Sequence, residues 1–395
     1  MTTQDTPRKT LLRRGALLAG TAILGIGLAA GIADSAFMQN DHAYAQPIEL
    51  SGTQSQLPSF ANLVDKVKPA VVSVRVKAEV AAAADRDGQS LDDLPPQLRR
   101  FFRDFGGEEG GGRQAKPKPQ MAMAQGSGFF ISQDGYVVTN NHVVEHAVEV
   151  QLVTDSGKTL EAKVIGTDPR SDLALLKVKD GGDFPYVKLA DGKPRIGDWV
   201  LAIGNPFGLG GTVTAGIVSA QGRDIGSGPY DDFLQIDAPI NKGNSGGPTF
   251  NGNGEVVGVN TAIYSPSGGN VGIAFAIPAS TVKQVVDQLK NGGKVARGFI
   301  GVQIQPVTDE LAAAIGLDSP RGALVAEAQS GGPAAKAGIR RGDTIVAING
   351  EQVKDARDVS RRIANVAPGS KVSLTVLREG HTRDVSFEVG RQPAA

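Results

Sequence analysis

Three short segments, in a fixed order along the chain, constrain this sequence more than any other feature. Val137-Val138-Thr139-Asn140-Asn141-His142-Val143-Val144 comes first, Ser171-Asp172-Leu173-Ala174-Leu175-Leu176-Lys177-Val178 second, and Gly243-Asn244-Ser245-Gly246-Gly247-Pro248 third. A serine hydroxyl is a weak nucleophile at neutral pH; it needs a base to take its proton and donors to stabilise an oxyanion. Glycines around Ser245 let the backbone turn sharply enough to aim N–H groups at a developing negative charge. By itself such a run is as readily a Gly/Ser surface turn. The other two segments displace that reading: an apolar strand-like run delivers His142 at its polar end, and Asp172 opens an alternating strand.

Composition narrows the classes. The 395 residues carry 41 Lys+Arg against 41 Asp+Glu, a formal net charge of zero, so the basic excess typical of nucleic-acid binding is absent. The length suggests two or three domains, and 40% hydrophobic residues supply their cores. With no cysteine there are no disulfides and no thiol chemistry, and packing must stabilise the fold. No metal or organic cofactor is indicated.

Residues 1–45 read as a targeting segment. Lys9, Arg13 and Arg14 precede an apolar stretch from Gly15 to about Ala33, followed by Ala43-Tyr44-Ala45, an A-x-A site. Cleavage after Ala45 is the preferred reading; retention as a membrane anchor is the other, and the Arg13-Arg14 pair raises a twin-arginine route. Either way the chain is expected to be exported, to the periplasm.

Residues 46–292 are expected to form one domain. After a linker to Leu57, Phe60 to Pro69 predicts a short amphipathic helix, and Val71 to Val76 alternates as a strand. From 81 to 125 the pattern dissolves into a long loop with an aromatic cluster, Phe101, Phe102 and Phe105, either a disordered insert or a mobile functional loop. Short strands with Gly/Asn/Asp turns recur from Gly126 to about Ile277, arguing for an all-β barrel or sandwich. A helix is predicted over 278–290, with Ser280 or Thr281 as N-cap. A second domain is expected over 298–391: Phe299-Ile300-Gly301-Val302 leads a strand, further strands follow, and Asp355 to Asn365 reads as a helix with Val359 and Ile363 on one face.

The order His142…Asp172…Ser245 is that of trypsin and chymotrypsin; α/β-hydrolases place the serine first and subtilisins the aspartate. After Ser245 only His381 remains, far out in the second domain. The three segments, together with Leu201-Ala-Ile-Gly-Asn-Pro-Phe-Gly208, Thr214-Ala-Gly-Ile-Val-Ser-Ala220 and Gly272-Ile-Ala-Phe-Ala-Ile-Pro278, resemble the HtrA/Deg family of serine proteases from about Leu57 to about Gly390. The resemblance implies a mainly β protein, a trypsin/chymotrypsin-like double β-barrel followed by a PDZ-like α+β domain. It implies an ATP-independent endopeptidase acting on unfolded or misassembled envelope proteins.

The resemblance also distributes roles. Ser245 would attack the scissile carbonyl, His142 would take and return the proton, and Asp172 would hold the imidazole tautomer. Backbone N–H groups of Gly243 and Ser245, with Asn244 as a further candidate, would form the oxyanion hole. Trypsin-like proteases that cleave after basic residues carry an aspartate six residues before the nucleophile; here that position is Pro239, beside Ile240. With Ile240 and Ile263 the substrate pocket should be narrow and apolar, favouring cleavage after small aliphatic residues. In a PDZ-like domain a C-terminal peptide adds as a strand to a sheet edge, its carboxylate in a backbone nest. Phe299, Ile300, Gly301 and Val302 fit that loop, and Val359 and Ile363 are either pocket or ordinary core. Arg223 matches a position associated with regulatory coupling and reads equally as a surface arginine. The resemblance further implies a homotrimer or a multiple of trimers, with Phe60 as a contact. Many relatives have a second PDZ domain, and this sequence shows one.

Two rivals compete. His142-Val-Val-Glu-His146 matches an inverted zinc-peptidase signature, but that motif needs a helix, and strand and turn residues precede it. The long loop and the PDZ-like module also suit a chaperone or binding protein, or a membrane-anchored regulatory protease with one signalling target.

Overall fold

The computed structural model describes residues 59–80, 120–208, 210–266 and 268–393. The leader, the linker and the Phe101–Phe105 cluster lie outside the described residues. No helix among those described is long and apolar enough to cross a membrane.

After helix α1 (Ala61–Val67) come two closed barrels of six strands each. The first is built from β1 (Val71–Val80), β2 (Gln120–Phe130), β3 (Tyr136–Thr139), β4 (Ala147–Val153), β5 (Thr159–Asp168) and β6 (Leu173–Val178), closing in the order β1-β2-β3-β6-β5-β4. Helix α2 (Asn141–Val144) is a single turn between β3 and β4. The second barrel uses β7 (Trp199–Gly204), β8 (Thr212–Arg223), β9 (Phe233–Ile236), β10 (Pro248–Phe250), β11 (Val256–Ile263) and β12 (Ala274–Pro278), closing as β10-β11-β12-β9-β8-β7. Helix α3 (Ala279–Gly292) follows.

Three apolar clusters hold these elements. Val72, Val74, Val76, Phe130, Leu152 and Leu176 fill the first barrel. Val200, Ala202, Val218, Ile236 and Val257 fill the second. A third cluster joins Phe129, Leu173 and Leu175 of the first barrel to Leu201, Ile203 and Phe250 of the second, under Val282, Val285, Val286 and Leu289 of α3. These four recur at helical spacing, so one stripe of α3 closes over both barrels. The shared cluster also explains β6. Alternation predicts one solvated face, yet the strand is buried on both: Ala174, Leu176 and Val178 face the barrel interior while Leu173 and Leu175 face the shared core.

Two local expectations are corrected. Residues 120–125 belong to β2, pairing in register with β1 from Val80↔Gln120 to Arg75↔Gln125, because a partner strand compensates for an Ala/Met/Gln run of weak β character. Helix α3 takes its N-cap from Pro278, without a side-chain cap, since β12 runs straight into it and leaves Ser280 and Thr281 inside the first turn. Its C-terminus closes on Gly293, at φ 68°.

The second domain begins with β13 (Gly298–Phe299) and β14 (Val302–Pro306), so the expected single strand 299–302 is broken at Gly301, where φ is +74°. Helix α4 (Asp309–Ile315), which the sequence did not announce, is capped by Thr308 Oγ1. Then come β15 (Ala323–Ala328), α5 (Pro333–Lys336), β16 (Thr344–Ile348), β17 (Glu351–Gln352), α6 (Ala356–Ala364), β18 (Lys371–Arg378), β19 (His381–Glu388) and β20 (Gly390–Arg391). The sheet order is β14-β15-β16-β18-β19, which leaves β14 at an edge. Asp355 caps α6, accepting from the Asp358 N–H at 2.8 Å. Val359 and Ile363 both lie in the core of this domain.

Candidate active site

The first barrel delivers a bonded acid–base pair. His142 sits on α2, and its Nδ1 lies 2.8 and 3.0 Å from the two carboxylate oxygens of Asp172. The same carboxylate accepts the His142 backbone N–H at 3.0 Å, and the Asp172 carbonyl accepts the Asn141 N–H and the Asn140 side-chain amide. Asp172 reaches this place by closing the β5–β6 turn in a left-handed conformation, φ +54°. Burial pushes the His142 imidazolium towards losing its proton, but the charges of Asp172 and, more weakly, Glu145 outweigh it and raise the pKa above the ordinary value. Anchoring at Nδ1 fixes the orientation of the imidazole ring.

The second barrel supplies the serine loop and one further bond. Thr261 on β11 donates its hydroxyl to Asp172 Oδ2 at 2.5 Å, so the carboxylate is gripped from both barrels. No motif in the sequence singles out Thr261. The usable signal was a polar residue in a strand buried almost throughout, Val256–Ile263, where a hydroxyl must find a partner. Ser245 is buried in the loop before β10. Its carbonyl accepts the Ser127 N–H at 2.8 Å, which ties the loop to β2. Gly246 is packed so closely that an added Cβ would lie 2.2 Å from the Ser127 carbonyl and 3.1 Å from Asn140 N, two residues before His142. Thus the backbone of the Ser245 loop packs against β2 and against the segment that leads into His142.

The backbone donors sort themselves by what they already bond. The Asn244 N–H donates to the Asn241 carbonyl at 3.1 Å, which removes Asn244 from the oxyanion donors expected from sequence. The Gly243 and Ser245 N–H groups make no backbone hydrogen bond among the described residues. Gly243 has φ +93°, and its carbonyl is held by Ser127 Oγ at 2.5 Å. That fixes the peptide plane that follows it.

Ile240 is buried in the interior cluster of the second barrel, and Ile263 packs against the same cluster. Both isoleucines are thus part of the core packing of the second barrel. Arg223 ends β8, exposed, with its Nε bonded to Gln235 Oε1 at 2.8 Å. The loop after it is tied to the second domain: Arg361 on α6 donates to Asp232 at 2.5 Å, Arg357 pairs with Asp224, and Tyr230 donates to Gln392 at 2.9 Å. In the second domain the Ile300 and Gly301 carbonyls accept from the Ala334 and Gln329 N–H groups, while the N–H groups of Ile300 and Gly301 make no backbone hydrogen bond among the described residues. Phe299 pairs with Gly390, and Val302 starts the edge strand β14. Val359 and Ile363 are 1% and 5% exposed, so core packing accounts for both.

The zinc-motif rival fails on geometry. Helix α2 ends at Val144, Glu145 is extended, and His146 has φ +56°, so the two imidazoles do not share a helix face. No cluster of three or more metal-ligating side chains occurs among the described residues.

Comparison with known proteins agrees with this arrangement. The trypsin-like peptidase domain matches residues 126–259 and the PDZ domain matches residues 298–389. A probable periplasmic serine endoprotease DegP-like of Brucella melitensis biotype 1 is 57% identical over 360 residues, spanning 86% of this chain and 70% of that protein. The corresponding protein of Rhizobium meliloti (strain 1021) is 55% identical over 359 residues, 86% and 71% of the two chains. Among solved structures, the HtrA-type protease AlgW with decapeptide is similar at 38% identity and a TM-score of 0.66, over 86% of this chain and 100% of that one. The serine endoprotease from Yersinia pestis is similar at 32% identity and a TM-score of 0.57, over 85% and 99%. Similarity of this degree along most of both chains has one consequence: this chain belongs to the HtrA-type, DegP-like family of periplasmic serine endoproteases.

Proposed function

We propose that this protease hydrolyses unfolded or misassembled envelope proteins without ATP, through Ser245 as nucleophile, His142 as general base and acid, and Asp172 as the residue that fixes and charges the imidazole. The observation that carries this reading is the His142–Asp172 pair, bonded at 2.8 Å and set against the glycine-built loop of Ser245. In the proposed reaction His142 Nε2 takes the hydroxyl proton as the serine oxygen attacks. The Gly243 and Ser245 N–H groups receive the oxyanion, and the imidazolium then protonates the leaving amine. Ile240 and Ile263 favour a small aliphatic side chain before the scissile bond, and the absence of a carboxylate at position 239 disfavours Lys or Arg.

The PDZ domain is proposed to receive apolar C-termini by adding them to the free edge of β14, with the carboxylate at Phe299–Gly301. Binding there would reach the protease through the ion pairs between α6 and the loop after Arg223. Oligomerisation as trimers is proposed from the family resemblance, and the exposed apolar side chains of Trp199 (52%) and Ile196 (65%) offer surface for such a contact.

The test is casein degradation by the protein and by Ser245→Ala, each with and without a peptide ending in an apolar carboxyl terminus. Activity that disappears in the variant and rises with peptide is the expected result. Activity unchanged in Ser245→Ala would remove the serine mechanism. Preferential cleavage after Lys or Arg in a peptide library would remove the pocket assignment.

A further inference from the structure

Asp172 occupies a backbone conformation that an isolated chain rarely adopts. It closes the turn Pro169–Asp172 through its N–H to the Pro169 carbonyl at 3.4 Å, with φ +54°. A non-glycine residue holds such a conformation only where its surroundings over-determine it. On one side Asn140, Asn141 and His142 provide the constraint. The base of the turn is held from elsewhere. Asp168, the last residue of β5, is buried and accepts from the Ser171 hydroxyl inside the turn. Arg297 donates to both oxygens of Asp168, Nη1 to Oδ1 at 2.8 Å and Nη2 to Oδ2 at 2.5 Å, and both side chains are nearly enclosed.

Arg297 belongs to neither barrel. It lies between α3 and β13, one residue before the PDZ domain begins, and its carbonyl accepts from the Gln392 N–H at 3.0 Å. Its guanidinium covers the Tyr230 ring at 5.1 Å, and Tyr230 is itself bonded to Gln392. The planar two-pronged fit to a carboxylate is one that lysine does not reproduce.

We propose that Arg297 is a positioning residue for catalysis: the arginine at the junction of the two domains clamps, through Asp168 and Ser171, the turn that presents Asp172 to His142. Arg297 touches no substrate, and its effect passes through the placement of Asp172. The inference rests on the roles proposed above for His142 and Asp172. It makes the docked junction part of the active site's support, so that loosening the junction loosens the catalytic aspartate.

The test is steady-state cleavage of a short chromogenic peptide by the full chain, with active sites counted by a serine-directed phosphonate. Arg297→Gln and Asp168→Asn are each expected to lower kcat per titrated site by about 10–100-fold, with KM held within about twofold. The double variant should be no worse than either single one, and Arg297→Lys should recover only part of the loss. The acid limb of the pH profile separates positioning from mere stability. Asp172 and Glu145 are the charges that raise the His142 pKa against its burial. Displacing Asp172 should therefore move the limb to lower pH, whereas a smaller folded fraction leaves it in place. An unchanged kcat per titrated site, or a loss with an unmoved limb, overturns the proposal. Should Arg297→Gln fail to fold, Ser171→Ala carries the test: a loss of about threefold or more with the same limb movement is expected, and an unchanged kcat overturns the clamp. Full activity in Asp172→Asn would overturn the triad reading and the clamp with it; an inactive Asp172→Asn beside a neutral Arg297→Gln would sink the clamp alone.

Discussion

The two barrels share one topology and divide the chemistry unequally. Traced from β1 and from β7, both close in the same sequence of neighbours, with the sixth strand beside the third and the fourth strand returning to the first. The first barrel presents His142 and Asp172 in a web of side-chain and backbone bonds that fixes both before substrate arrives. The second presents Ser245 on a loop built from close backbone approaches at Gly243 and Gly246. One scaffold thus yields a histidine–aspartate pair held by directed hydrogen bonds and a serine loop whose shape depends on missing side chains. Directed bonds resist displacement individually, while a glycine loop depends on its surroundings being correctly packed.

The largest way to break the comparison lies on the first side. His142→Ala should cost about 10⁶-fold in kcat, and adding Ser245→Ala should cost almost nothing more, because residues acting as one unit are not additive. Steady-state peptide cleavage measures both; an additive double variant would show that the barrels act separately. Next comes the loop. Gly246→Ala places a Cβ 2.2 Å from the Ser127 carbonyl at φ +83° and should lower kcat by about 10²–10³-fold, comparable to losing an oxyanion donor. Retained labelling by a serine-directed phosphonate at the wild-type rate would contradict it.

The bond that crosses between the barrels should be worth less. Thr261→Val removes one of several donors to the Asp172 carboxylate, and about a tenfold loss of kcat is expected, readable in the same assay. The smallest effect is a displacement of the pH profile. In the proposed mechanism His142 must be neutral to act as base, and its pKa is raised above the ordinary imidazole value, so activity should rise as pH passes upward through that raised value. Stability runs the other way. A folded-state pKa raised above the unfolded one contributes stability below the unfolded pKa, and this contribution is lost as pH rises through the folded one. Thermal melts of the wild type and His142→Ala across that window should converge at its alkaline end, and a gap that widens there would contradict the assignment.

Much of the site was legible because the chemistry is local in sequence. The histidine, aspartate and serine segments each carry their own turn or strand signal, and their order alone excluded two unrelated folds with the same triad. Alternation in Val71–Val76 announced a strand, and the periodicity of 278–290 announced a helix. What misled was context. Asn244 was a reasonable oxyanion donor from the sequence, but its N–H is bonded to Asn241, and β6, expected as an alternating strand, is covered on its second face by another core. Residues 120–125 lacked strand character and became a strand by pairing with β1.

The sequence by itself carried the three candidate segments and their order, a strand-rich region followed by a second domain, and the absence of cysteine. Those properties follow from residue type and short spacing. Only the tertiary structure decided that Thr261 grips Asp172 from the other barrel, that Trp199 meets Phe60, and that Arg297 reaches across a domain junction to Asp168. Each of these joins residues far apart in the chain. A hydrogen bond or ring contact is fixed by a few ångströms of position, and no spacing or periodicity along a sequence encodes such a distance.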